Sequence, residues 1–296
     1  MDNIPAVHPT QRDGKHSLDT AVHLPEHPRG EWVLVTNDDG VDSPALRPLL
    51  TEISELCPVV GIAPAQEFSW TSKTLSRFAR PRFEPQDEDL PCPLFSLDGS
   101  PADCANVGVH CLYSNPPSLV VSGMNVGANA GLALLLSSGT VGAAVEGMLS
   151  GVPSIAFSVQ LRAQDYARWR TEREDFLEST WKNGAAVSGQ ITAEVLTHGL
   201  PAGSSVLSVN MPPDIQISTP RCLTRVTPTS YGSFFRQCDD GSFEHHYNGY
   251  RRVGSGEDGD IEVLERGQVA MTPLRFDLTA PIDSADQARF ETGSGR

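Results

Sequence analysis

Two adjacent carboxylates, Asp38 and Asp39, directly follow a short run of apolar and β-branched residues, WVLVT at 32–36. An apolar run of this length that ends in turn residues predicts a buried strand of a parallel sheet. In open α/β sheets, ligands bind outside the carboxyl ends of the strands. Paired carboxylates there, followed by Gly40, which lets the chain bend, indicate a site for a hard cation. Alone, the same residues also fit a solvated acidic turn.

Two more segments place oxygen donors at the predicted edge of this sheet. Ser69 follows the second predicted strand, PVVGIAP at 58–64, and Asn125 and Asn129 follow a third, SLVVSG at 118–123. Two carboxylates, one amide and one hydroxyl suit Mg²⁺ or Mn²⁺, which prefer oxygen ligands and keep open positions for water.

A phosphate-binding element is predicted at Ser138, Gly139 and Thr140, which precede the helical segment VGAAVEGML. Free backbone N–H groups at a helix N-terminus, two hydroxyls and a glycine that permits close approach form a cradle for phosphate. Ser138 and Thr140 also fit as simple helix caps. A cation beside an anion cradle is what the hydrolysis of a phosphate ester requires. Asp38 or Asp39 would then orient the attacking water or accept its proton.

Strand and helix signals alternate from Trp32 onward, which predicts right-handed βαβ units and a mostly parallel sheet with helices on both faces. A first helix is expected from Ser43 or Pro44 to about Leu56, with a serine cap. Residues 163–198 are expected to form one long helix, or two that are broken near Gly184. Further strands are predicted in the segments PSIAFSV, SSVLSVNMP and VAMTPLRFDLTA.

The chain divides into four predicted segments. These are a flexible N-terminal extension at 1–30, a metal- and phosphate-binding core at 31–160, a C-terminal helix, strand and arm at 161–280, and a loose tail at 281–296. Within the arm, the polar and aromatic stretch 215–250 predicts hairpins. His245 and His246 have no partners at ligand spacing and are interpreted as hairpin residues.

Composition excludes several classes of protein. The 22 basic and 37 acidic side chains give a net charge of −15, which argues against a surface for a nucleic-acid polymer. No apolar stretch approaches the length of a membrane span, and no signal peptide is visible. Six cysteines are scattered without a Cys-x-x-Cys pair, which predicts reduced thiols and a cytoplasmic protein.

Over roughly residues 32 to 275 the chain resembles the SurE family of metal-dependent nucleotidases. The segments that carry the resemblance are VTNDDGVDSPALRPL, IAPAQEFSWTSKTL, LDGSPADCANVGV, VVSGMNVGANAG, SSGTVGAAVEGMLSGVPSIAFS, LSVNMP and VAMTPL. VTNDDGVDSP and SGTVGAAVEG are the most specific of them. The resemblance implies a Rossmann-like three-layer α/β sandwich with a C-terminal hairpin or arm used in oligomerisation, in a homodimer or homotetramer.

The resemblance also implies a role for individual residues. One divalent cation per subunit, Mg²⁺ or Mn²⁺, is expected, and nucleoside monophosphates are the usual substrates, with short polyphosphates in some members. The implied metal ligands are Asp38, Asp39, Ser69 and Asn125. The implied phosphate-binding residues are Asn129, Ser138, Gly139 and Thr140.

The chain departs from the family pattern around the predicted metal serine. Phe68 and Trp70 stand where the family usually has arginine and glycine. At a substrate rim these rings would either stack on a base or sugar or close the pocket to ordinary nucleotides, although simple packing of the rings fits equally. The departure favours one alternative, a phosphatase of the same chemistry for a specialised metabolite such as a modified nucleotide or a sugar phosphate. A second alternative is a non-catalytic nucleotide-binding module.

Overall fold

The computed structural model describes residues 26, 28, 30–86, 89–172, 176–254 and 256–291. The predicted N-terminal extension therefore lies almost entirely outside the described residues. None of the described helices is long and apolar enough to cross a membrane.

A nine-stranded sheet organises the chain, in the order β3-β4-β2-β1-β5-β6-β7-β13-β8. The described strands are β1 (Val33–Thr36), β2 (Val59–Pro64), β3 (Phe83–Gln86), β4 (Leu94–Leu97), β5 (Leu119–Val126), β6 (Ser154–Val159), β7 (Val206–Met211), β8 (Arg221–Leu223), β9 (Thr229–Tyr231), β10 (Phe235–Gln237), β11 (Phe243–His245), β12 (Tyr250–Arg252) and β13 (Val269–Leu274). The six strands from β4 to β7 in the sheet order run parallel, while β3 and β13 each run antiparallel to the neighbour on that side. The predicted α/β fold with a mostly parallel sheet is confirmed.

Helices cover both faces of the sheet. They are α1 (Leu46–Ser54), α2 (Pro101–His110), α3 (Leu132–Ser137), α4 (Gly139–Leu149), α5 (Ala163–Glu172), α6 (Glu178–His198), α7 (Asp260–Glu265) and α8 (Ser284–Phe290). The helices α1 and α6 pack together on one face, and α2 and α4 pack together on the other. Because both faces are covered, every residue of β1, β2 and β6 is buried, which explains their continuous apolar runs.

Two predicted helix boundaries were wrong. The first helix begins at Leu46 rather than at Ser43 or Pro44, and Ser43 does not cap it, since its N-cap residue is Ala45. In the 163–198 region, α5 is described to Glu172, α6 begins at Glu178, and Gly184 lies inside α6. A Cβ atom at Gly184 would lie 3.1 Å from the Met124 Sδ atom, so this glycine permits close packing of α6 on β5 rather than ending the helix.

The C-terminal segment extends the same sheet. Its strands β7, β13 and β8 complete one edge, and its helix α6 covers one face. The rest of the predicted arm forms two small antiparallel pairs, β12 with β9 and β10 with β11. The predicted tail contains the short helix α8, which is capped by Asp283 and has no buried residue.

Candidate active site

The turn after β1 is held by the side chain of Asn37 and by the loop that follows β2. The Asn37 Nδ2 atom donates to the Gly40 carbonyl oxygen at 2.8 Å. Gly40 has a φ of +92°, and a Cβ atom there would lie 3.0 Å from the Gln66 carbonyl carbon, so glycine fits both requirements. The Phe68 N–H donates to the Asp38 carbonyl oxygen at 2.7 Å, which clamps the two loops together.

The side chain of Asp38 links the end of β1 to the N-terminus of α4 by a hydrogen bond. Its carboxylate is buried, and its Oδ1 atom accepts a hydrogen bond from the Thr140 hydroxyl at 2.6 Å. A Cβ atom at Gly139 would lie 2.9 Å from the Asp38 Cβ atom, so only glycine lets the helix approach this closely. Burial raises the pKa of Asp38 to about 6, although the hydrogen bonds from Thr140 oppose the shift.

The side chain of Asp39 links the end of β1 to the end of β5 by a hydrogen bond. Its Oδ2 atom accepts a hydrogen bond from the Val126 N–H at 2.8 Å. Burial, and then repulsion from Asp38, raise the pKa of Asp39 well above its ordinary value. Two neighbouring carboxylates whose charged forms are both disfavoured fit a bound cation, because a cation would stabilise both charges.

Ser69 and Asn125 line the same pocket as Asp38. The Asn125 Nδ2 atom donates to the Gly127 carbonyl oxygen at 2.7 Å, which leaves the amide oxygen as the atom suited to a cation. The Ser69 hydroxyl donates to the Glu67 Oε1 atom at 2.6 Å, so its lone pairs point away from Glu67. No three His, Cys, Asp or Glu side chains cluster at metal-ligand spacing in the described part of the chain. A cation here would therefore depend on two carboxylates and neutral oxygens.

Glu67 and Arg170 are site residues that the sequence analysis missed. The Arg170 Nη1 atom donates to the Glu67 Oε2 atom at 2.7 Å, while the other Glu67 oxygen holds Ser69. Arg170 lies on α5, and its charge also acts favourably on the ionised form of Asp39. Helix α5 thus places a guanidinium beside the loop in which Phe68 stands at the usual arginine position. No local sequence pattern links Arg170 to residue 67.

The predicted phosphate cradle is assembled around the first turn of α4. Ser138 is the N-cap residue, and its hydroxyl accepts from the Val141 N–H at 3.1 Å. Asn129 is buried, and its Nδ2 atom lies 3.3 Å from the Thr140 Oγ1 atom. The predicted residues Asn129, Ser138, Gly139 and Thr140 therefore come together at one helix terminus.

Asn210 and Ser158 fix the position of Asn129 and were also missed. The Asn129 N–H donates to the Asn210 Oδ1 atom at 2.7 Å, and its Nδ2 atom donates to the Ser158 Oγ atom at 2.9 Å. Both partners lie near the carboxyl ends of parallel strands, Ser158 on β6 and Asn210 on β7. The strand-end argument that selected Asp38 would have found them.

A pocket of about 420 Å³ opens over this arrangement. Of the predicted site residues, those that line it are Asp38, Ser69, Trp70, Asn125, Asn129 and Ser138. Asp39, Gly139 and Thr140 lie next to lining residues but do not line it themselves, and neither does the half-buried Phe68. The aromatic residues Tyr166, His245 and Tyr247, which the sequence analysis did not place in the site, also line the pocket.

Comparison with known proteins agrees with this fold. The family model described as Survival protein SurE matches residues 33–233. The chain belongs to the SurE family. A protein of a Geobacter species, named 5′-nucleotidase SurE, is 35% identical over 258 residues, covering 83% of this chain and 94% of that protein. The 5′-nucleotidase SurE of Methanosarcina acetivorans is 29% identical over 262 residues, covering 87% and 97%.

A solved SurE structure has the same fold. The crystal structure of the SurE protein from Aquifex aeolicus superposes with a TM-score of 0.67 at 30% identity, covering 84% of this chain and 94% of that one. The predicted SurE resemblance and three-layer fold are therefore confirmed, and the predicted enzyme class, a nucleotidase or phosphatase, is that of the named SurE relatives. The metal ligands, the substrate and the oligomeric state stay predictions.

Proposed function

We propose that this chain hydrolyses nucleoside monophosphates to nucleoside and phosphate, with one Mg²⁺ or Mn²⁺ held by Asp38, Asp39, Ser69 and Asn125. The observation that carries the proposal is the adjacent pair Asp38 and Asp39, of which Asp38 bonds to the first turn of α4 and lines one pocket with the N-cap residue Ser138. The names of the SurE relatives support the nucleotide substrate.

One group of residues acts on the attacking water and another binds the phosphate. A bound divalent cation would supply positive charge to a phosphate oxygen and lower the pKa of a water. Asp38 or Asp39 would orient that water or accept its proton. Thr140 and the Val126 N–H keep the two side chains in place.

The N-terminus of α4 binds the phosphate. The backbone N–H groups of its first turn and the hydroxyl of Ser138 face the charge that develops on the phosphate oxygens. Asn129 adds an amide to the same cradle, held by Ser158 and Asn210. Gly139 contributes by having no side chain, because its Cβ atom would fill the space beside Asp38.

One alternative keeps this chemistry and changes the substrate. Trp70 at the pocket favours a specialised phosphorylated metabolite, such as a modified nucleotide or a sugar phosphate. A non-catalytic nucleotide-binding module is the less favoured alternative, since binding alone would not need paired carboxylates beside a phosphate cradle.

The test is phosphate release with Mn²⁺, Mg²⁺ or EDTA from 5′- and 3′-nucleoside monophosphates, sugar phosphates, short polyphosphate and a generic aryl phosphate. We expect metal-dependent release from nucleotides and no release in EDTA. Metal-dependent release only from sugar or aryl phosphates would support the specialised phosphatase. Tight nucleotide binding without release from any compound would support the binding module and overturn the proposal.

A further inference from the structure

The pocket has two chemically distinct ends. Its polar end is lined by three of the four predicted metal ligands, Asp38, Ser69 and Asn125, and by Asn129 and the α4 N-cap residue Ser138. Its other end is an aromatic wall, which we define as Trp70, Tyr166, His245 and Tyr247. These residues come from three parts of the chain: the loop after β2, the helix α5, and the end of β11 with the residues just beyond it. One molecule that fills the pocket would therefore contact both ends.

Trp70 is held in an unfavourable backbone conformation. Its φ is +61°, in the left-handed region where a large side chain is rare. Its ring packs against the arm, with centroid distances of 5.1 Å to Phe234 and 5.0 Å to Tyr247. These contacts fix the indole, and 42% of its surface is still exposed.

Two other members of the wall, Tyr166 and His245, also pack on neighbouring rings. Tyr166 packs on Trp169 of its own helix at a centroid distance of 5.9 Å and is 42% exposed. His245 stacks on Phe234 with an interplanar angle of 17°. Flat rings that are fixed and partly exposed are surfaces on which another flat ring stacks.

No lysine or arginine is among the described residues that line this pocket. A chain of several phosphates would need cationic partners beyond the first phosphate. The part of the substrate that lies against the wall is therefore uncharged and apolar or aromatic. The cavity volume of about 420 Å³ lies within the usual range for small-molecule sites, roughly 300–1,000 Å³.

We propose that the aromatic wall is a ring-binding subsite, which selects phosphate esters whose leaving group carries a flat aromatic ring, such as a nucleobase, over ringless esters and polyphosphate. This proposal rests on the proposed phosphatase function and names the substrate group that the pocket recognises. Of the three roles of Trp70 that the sequence left open, which are stacking on substrate, closure of the pocket and simple packing, the proposal selects stacking.

The experiment compares kcat/KM for a nucleoside 5′-monophosphate with kcat/KM for ribose 5-phosphate, which lacks the base. In Trp70→Gly the ring is lost while glycine accepts the left-handed backbone, so the loop that carries Ser69 is retained. We expect the nucleotide-to-ribose-phosphate ratio of kcat/KM to fall roughly ten-fold or more, mainly through KM. Tyr166→Leu, on a different element, should lower the ratio in the same direction. The control, Phe78→Ala, changes a 91% exposed ring that does not line the pocket and should leave the ratio unchanged.

If the nucleotide-to-ribose-phosphate ratio of kcat/KM stays constant in both Trp70→Gly and Tyr166→Leu, the subsite proposal is overturned. Faster turnover of nucleotides in Trp70→Gly would also overturn it, because the indole would then close the pocket. Failure of the phosphatase function looks different, because the wild-type protein would then release phosphate from neither compound. In that case the binding of a phosphate-free nucleoside, measured by calorimetry in wild type and in Trp70→Gly, still tests the wall. Equal affinity, or no binding to either protein, would reject it.

Discussion

Asp38 and Asp39 are placed where their charges are costly unless a cation is present. Asp38 has a pKa of about 6 against an ordinary value of 3.8, so in the metal-free protein the folded state holds its proton more tightly than the unfolded chain does. Its contribution to stability is therefore fully present below pH 4 and is lost as the pH rises through 6. In this respect the site resembles other functional sites, where stability is given up for chemistry.

The raised pKa of Asp38 leads to a prediction for the stability of Asp38→Asn in EDTA. At pH 7.5 the variant should be more stable than wild type by about 1–3 kcal/mol, because the amide carries no charge to desolvate and its oxygen can still accept from Thr140. At pH 4.5 the two proteins should differ less. Thermal unfolding at both pH values measures the difference. A stability difference that does not change with pH would contradict this account of Asp38.

Glu67 is predicted to position Ser69 for the cation. In Glu67→Gln the hydrogen bond to Ser69 can be kept, but the negative charge that holds Arg170 is lost. We expect the Kd for Mn²⁺ to rise about 10-fold or more, as is typical when partners of metal ligands are changed. Calorimetric titration with Mn²⁺ measures this effect. Glu84→Gln, an equal charge change on the edge strand β3, should leave Kd unchanged, and the same Kd in both variants would remove Glu67 from the site.

At the scale of elements, helix α7 holds the loop that carries Asn129. Asp260 is buried at the start of α7, and its carboxylate accepts from the Gly131 N–H at 2.8 Å and the Thr227 N–H at 2.9 Å. The loop from Gly127 to Gly131, between β5 and α3, is thereby tied to a helix far along the chain.

Asp260→Ala should therefore destabilise the protein and loosen the phosphate cradle. Two buried N–H groups would lose their acceptor, for which we expect a loss of about 2 kcal/mol or more in the free energy of unfolding. Denaturant unfolding measures it, together with KM for the nucleotide, which should rise. Asp258→Ala is the matched control, because Asp258 is paired with Arg225 at the surface. Equal losses in the two variants would show that Asp260 has no special role.

Local sequence was sufficient for most elements and for the predicted site residues, because strand ends and helix starts carry their own signals. Asp38 and Ser138 stand at such boundaries and were found from them, whereas Asn125, predicted to follow its strand, lies inside β5, one residue before its end. Residues that reach the site through tertiary contacts were not found: Arg170 on α5, and His245 and Tyr247 beside the β10–β11 hairpin. The helix break near Gly184 was misplaced because a glycine signal has two physical causes, helix ending and close packing, and packing against Met124 applies here.

At the scale of the whole molecule, the β10–β11 hairpin and its flanking residues carry both packed and exposed aromatic rings. Phe234 and Tyr247 contact Trp70 of the same chain, whereas Phe235 is 59% exposed and Phe243 is 65% exposed. Exposed phenylalanines close together on a hairpin favour an interface with another molecule. We propose that this surface contributes to the predicted homodimer or homotetramer.

Replacement of both rings, Phe235→Asp and Phe243→Asp together, should shift the protein to monomers. Two carboxylates would have to be desolvated in the interface. Light scattering coupled to size exclusion measures the mass. Phe290→Asp changes a 73% exposed ring on α8 and serves as the control. An unchanged assembly in the double variant, or a monomeric wild type, would contradict this role of the hairpin.

The most direct test of the central claim is phosphate release from a nucleoside monophosphate, in Mn²⁺ and in EDTA, by wild type, Asp39→Asn and Asp42→Asn. Asp42 is an exposed carboxylate three residues along the same turn, so its variant makes the same charge change outside the site. We predict metal-dependent release by wild type and Asp42→Asn, and a loss of about 100-fold or more in kcat for Asp39→Asn, which still folds. Near-wild-type release by Asp39→Asn, or release by wild type that EDTA does not reduce, would contradict the account.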